Sequence, residues 1–153
     1  MKHTQVVTWG GCILAILLVG SQVVSGQNFE PDEHGFIVAQ PADLMPSEGA
    51  RTVNIYGNPR EPGLYVIRIT FAPGSGSRPH FHDQARFITV IKGKWWVSIG
   101  PEADVYDPEN MSSVEAGSFL YEPPNGHHYD MAKDEEVIVQ IMGMGPVKTT
   151  RIE

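Results

Sequence analysis

From Ala50 onward the chain is a succession of short β-branched and aromatic runs, each stopped by glycine, proline or asparagine, and few folds accept that pattern. The runs are 52–56, 64–71, 87–91, 95–99, 118–122 and 137–142. Several alternate with a period of two. In 65–70 one face carries Val66, Arg68 and Thr70, and the other carries Tyr65, Ile67 and Ile69. Lys92-Gly93, between two runs, signals a tight hairpin with Gly93 supplying a positive φ. No stretch has a helical period with caps, and 101–110, which contains Pro108, is expected to be a loop. The fold class is all-β, and many short strands without helices favour a closed barrel or sandwich.

The first 26 residues differ from the rest. Lys2 gives a short basic start, residues 12–19 (CILAILLV) form an apolar run, and Val24 and Gly26 suit the −3 and −1 positions of a cleavage site. Residues 1–26 are therefore expected to be a signal peptide, cut before Gln27, with an exported product, periplasmic or secreted. The run is shorter than the roughly 18–20 residues that span a bilayer, so no stable membrane insertion is expected after cleavage. Cys12 is the only cysteine and leaves with the leader, which excludes disulfides, thiol nucleophiles and thiolate ligands from the mature chain. An export signal without disulfides tilts towards a bacterial periplasm. Lys2 is the leader's only Lys, Arg, Asp or Glu, so its loss takes the net charge from −7 to −8. With no basic stripe, a nucleic-acid partner is not expected.

Residues 27–49, rich in Pro, Asp, Glu and Gly around the apolar island 36–38, read as an N-terminal arm or edge strand. Residues 50–153 form a single barrel domain.

The chemistry lies in three histidines. His80 and His82, two apart on an extended stretch, project from one face, and His128 follows a Pro-Pro-Asn-Gly turn. Three converging imidazoles suit a borderline divalent transition ion with positions left open. His127, next to His128, should point the other way, to solvent or to a supporting role. Trp95 and Trp96 must also split: the inward ring is core or pocket wall, and the outward ring, costly if exposed, argues for a homodimer interface. Tyr129 and Gln140 are further candidates for a pocket lining.

The spacing Gly74-x5-His80-x-His82-x3-Arg86-x6-Gly93, followed by Gly117-x5-Pro123-x-Asn125-x2-His128, resembles the two motifs of the cupin superfamily. The resemblance implies a cupin-type jelly-roll β-barrel in one domain, extending over about residues 50–145. It also implies that His80, His82 and His128 ligate Fe, Mn, Ni, Cu or Zn within the barrel. Three positions depart from the family pattern. Asn125 replaces a glycine, Ala132 replaces an asparagine, and Arg86 stands where the family carries a glutamate ligand. A guanidinium cannot deprotonate and cannot ligate. Three alternatives stay open. Arg86 pairs with Glu122 beside a three-histidine site, a ligand set the family contains among its thiol dioxygenases; Glu122 itself is a possible replacement ligand. Arg86 holds an anionic group of a ligand. Or the metal site has been lost. The functions expected are a metal-dependent oxygenase on a small organic substrate or, alternatively, a non-enzymatic cupin that binds a sugar, organic acid or metal.

Overall fold

The computed structural model describes residues 29–153, so the leader expected at 1–26 lies outside the described residues. The period-two runs become ten antiparallel strands in two five-stranded sheets. The strands are β1 (Thr52–Tyr56), β2 (Gly63–Phe71), β3 (His80–His82), β4 (Arg86–Lys92), β5 (Lys94–Ile99), β6 (Ser112–Glu115), β7 (Phe119–Glu122), β8 (His128–Ala132), β9 (Val137–Gly145) and β10 (Thr149–Arg151). One sheet runs β1-β2-β9-β4-β7 and the other β10-β3-β8-β5-β6. Most neighbours are distant in sequence, as in a jelly roll, and the chain has the expected all-β cupin-type barrel.

The alternation fixes which side chains fill the space between the sheets. Ile67, Ile141, Ile88 and Leu120 lie in register across β2, β9, β4 and β7. With Val90, Val97, Trp95, Val137 and Val139 they belong to the main hydrophobic core, Leu120 partly buried against it. One row along the same strands the register reads Tyr65, Gly143, Arg86 and Glu122, so the apolar core gives way to charge. Gly143 makes that row possible. A Cβ there would lie 2.7 Å from the Tyr65 hydroxyl oxygen and 3.1 Å from the Ala85 carbonyl oxygen, so any side chain would displace the tyrosine between the core and Arg86.

Three expectations are corrected. Gly93 does have a positive φ of 78°, yet β4 and β5 belong to different sheets; the turn is a corner between sheets and not a hairpin. The 36–38 island forms no strand, and Phe36 and Val38 are exposed. Trp96 is outward as expected, but it is half-buried beneath its own chain. It packs with Ala103, Met111, Tyr129 and Tyr106 under the 100–111 segment, and the Lys133 ammonium lies 4.2 Å from its ring centroid. Its ring therefore gives no argument for a dimer interface. Exposed apolar side chains lie instead on the outer face of the opposite sheet, at Phe87, Phe119, Tyr121 and Met142.

Gly143→Ala should lower unfolding stability by about 1–3 kcal/mol, the usual cost of overpacking a filled core. Chemical denaturation measures it, and an unchanged midpoint would show that Tyr65 moves aside freely.

Candidate metal centre

The short strand β3 carries His80 and His82 on one face because they are two residues apart, and it pairs with β8 so that His80 sits directly opposite His128. The turn before β8 reaches this register through Asn125, which has a φ of 60° and whose backbone N–H donates to the His82 carbonyl at 2.6 Å. Asparagine tolerates this left-handed conformation better than most residues, so it can stand where the cupin motif has glycine. The three imidazoles are buried, and one ring nitrogen from each lies within 4.8 Å of those of the other two.

Local hydrogen bonds decide which nitrogens are free. Nδ1–H of His80 donates to the Arg78 carbonyl at 2.7 Å, and Nδ1–H of His128 donates to the Gly126 carbonyl at 2.8 Å. Each ring therefore turns the lone pair of its Nε2 into the barrel. His82 is held through Nδ1 by the Thr149 hydroxyl at 3.0 Å, and its buried Nε2 has no partner among the described residues. Burial keeps all three rings neutral. Desolvation lowers the pKa of His80 to about 4, helped by His128, and that of His82 to about 2, helped by Arg86; desolvation likewise takes His128 to about 4. Neutral, oriented imidazoles, one with an orphaned buried nitrogen, are the donor set that a divalent transition ion requires.

Arg86 and Glu122 are directly opposed on β4 and β7. Glu122 is 5% exposed, and the guanidinium meets one of its carboxylate oxygens at 2.7 Å from Nε and 2.6 Å from Nη2. Arg86 Nη2 also lies 3.2 Å from His128 Nε2, and the other Glu122 oxygen lies 3.5 Å from the same nitrogen. Glu122 is thus engaged by Arg86 and stands outside the three-histidine group. The pair is neutral overall, which lets a cation lie beside the imidazoles.

Two residues near this centre were not picked out in the sequence. Tyr65 closes the charged row, and burial raises its pKa, against the Arg86 cation, which lowers it, and with the Glu122 carboxylate, which raises it. Asp130, two residues beyond His128 on β8 and hence on the same face, is buried, and desolvation raises its pKa to about 6. The period-two rule applied from His128 would have found Asp130. The same rule corrects two pocket candidates. Tyr129 points out of the barrel, its hydroxyl donating to the Asp107 carbonyl, and Gln140 accepts from Arg68 on the outer face. Of the four pocket candidates Trp95 alone lines the cavity. His127 points away from the site, pairs with Asp104 and stacks on Phe81.

No protein-family model and no curated protein matches the sequence. Solved structures do match. A cupin 2 domain-containing protein from Halorhodospira halophila is 14% identical, with 80% of this chain and 78% of that one covered at a TM-score of 0.54. A double-stranded β-helix protein from Klebsiella pneumoniae is 21% identical, covering 71% and 89% at 0.53. A cupin-like protein from Thermotoga maritima is 21% identical over 58% of this chain at 0.48. The chain spans 65% of that protein's length and 44% of two others that match, less than two thirds in each case. The first two likenesses show the cupin fold.

Arg86→Met would leave the Glu122 carboxylate buried and unpaired, and should destabilise by about 3–5 kcal/mol, whereas Arg86→Met with Glu122→Leu should recover most of the loss. A double-mutant cycle by denaturation checks this; additive losses would mean that the pair is not coupled. Without metal, stability should also fall on acidification between about pH 6 and 4. There the unfolded chain protonates its histidines while the folded rings stay neutral. Asp130 acts oppositely, since the folded state protonates it first, and offsets one of the three protons. Each uncompensated proton is worth up to about 1.4 kcal/mol per pH unit. Denaturation in chelator at stepped pH measures the slope, which His82→Phe should reduce.

Proposed function

We propose that this protein is an exported metal-dependent cupin in which His80, His82 and His128 hold one divalent transition ion for oxygenase chemistry on a small organic substrate. The observation that carries the reading is the orientation of the rings. Two Nδ1–H groups are committed to backbone carbonyls, and the Nε2 of the third is buried without a partner among the described residues. When bound, the ion would supply open coordination positions and Lewis acidity. The chain's own part is to keep the imidazoles neutral, to exclude water, and to hold Arg86 against Glu122 so that its charge does not repel the ion. A cavity of about 380 Å³, lined by His80, His82, Arg86 and Trp95, offers room for a small molecule beside the histidines. Export rests on the leader-like residues 1–26.

The 3.2 Å contact of Arg86 with His128 Nε2 favours a second reading, in which the guanidinium occupies the third ligand's lone pair and the cavity binds a molecule without metal. Metal content separates the two. Untagged protein loaded in turn with Fe(II), Mn(II), Ni(II), Cu(II) or Zn(II) and desalted should retain about one equivalent of at least one ion by mass spectrometry, and His82→Ala should weaken retention at least about tenfold. Wild-type protein that retains no ion, while Arg86→Glu does, would establish the second reading.

A further inference from the structure

We infer that the barrel cavity binds a small organic acid carrying two or more carboxylates and a hydroxyl group. The inference rests on charge and on unpartnered groups in the cavity that the proposed metal would share, but it does not need the metal. The chain is acidic, with 18 Asp and Glu against 11 Lys and Arg. The cavity reverses that balance. Four of the six arginines line it, and Asp130 is its only acidic residue among the described residues. Arg86 is neutralised by Glu122, whereas Arg51, Arg78 and Arg151 have no carboxylate within 4.0 Å among the described residues. These three are exposed, so they stand at the mouth, where solvated cations draw an anion inwards.

Their positions follow from the fold. Arg151 lies opposite His80 in the pairing of β10 with β3, and Arg78 precedes β3 with its guanidinium 3.9 Å from the centroid of Tyr106. Arg51 enters from the start of β1, with its guanidinium 5.6 Å from the centroid of Phe71. Resting on an aromatic face leaves the planar edge of a guanidinium free to donate two parallel hydrogen bonds to a carboxylate. Arg51, Arg78 and Arg151 together offer more donors than one carboxylate uses.

Deeper in the cavity the need changes from charge to hydrogen bonding. Trp95 and Asp130 line the cavity, and Trp95 Nε1–H and Asp130 Oδ1 are buried without a hydrogen-bond partner among the described residues. Their residues are diagonal neighbours, since Trp95 faces Ala132 and Asp130 lies two residues before it on β8. One group is a donor and the other an acceptor. A ligand hydroxyl, which both donates and accepts, satisfies the two together, and a second carboxylate would satisfy only Trp95. A buried polar group left unpaired is costly, so the hydroxyl should discriminate between otherwise similar acids.

Calorimetric titration of the untagged protein in low salt with chelator tests this apart from the metal. Malate should bind, succinate at least about tenfold more weakly, and glucose not at all. Arg78→Ala with Arg151→Ala, both at exposed positions, should weaken malate at least about tenfold. Asp130→Asn should remove the preference for malate over succinate, with near-ultraviolet circular dichroism checking that it folds. Absence of malate binding at about 10 mM, equal binding of glucose, or full affinity in the arginine variant would overturn the proposal. Malate binding in chelator by a protein that retains no metal would sustain it while removing the metal-dependent function.

Discussion

A guanidinium survives inside a small barrel only against a fixed negative charge, and the Arg86–Glu122 pair meets that condition at the boundary between core and cavity. Its cross-strand register on β4 and β7 holds the two side chains face to face, and Gly143 on β9, lacking a Cβ, leaves room for Tyr65 beside them. Burying two ions costs several kcal/mol each before their attraction is counted. The arrangement persists because the guanidinium reaches both the carboxylate and His128. Remove the pair and the row above the isoleucine layer would have to become apolar, closing the space beside the histidines.

The two sheets divide the work of building the site. One sheet supplies the charged row and the other supplies the imidazoles, so the site exists only where the sheets face each other. Orientation is set mainly by backbone carbonyls at Arg78 and Gly126. Such carbonyls do not depend on side-chain identity, so the ring directions of His80 and His128 follow from the course of the chain.

Much of this was legible in the sequence, for physical reasons. Period-two alternation identified β1 to its end residues and placed β2, β4, β5, β7 and β9 within a few positions. The two-residue spacing of His80 and His82 required a shared face, and the cost of an isolated buried cation made a pair with Glu122 one of the three alternatives open for Arg86. What escaped was long-range pairing. Gly93 announces a sharp reversal, but local chemistry cannot say that the strands on either side join different sheets. The brief β6 and β10 carry too few alternating residues to register. Tyr129 and Gln140 were misplaced although parity, counted from His128 and Ile141, sends both outward. Trp96 was judged without the 100–111 segment that folds over it.

β10 has only three residues, lies at the edge of its sheet and pairs with β3 alone, yet Thr149 steadies the imidazole whose pKa is lowered furthest and Arg151 stands over the cavity mouth. The strand with the fewest ties therefore governs the aim of His82 and the charge of the entrance together. Fraying there would broaden the set of His82 ring orientations and move a cation away from the mouth in one event, so geometry at the ligand atoms and access for an anion would fluctuate in step.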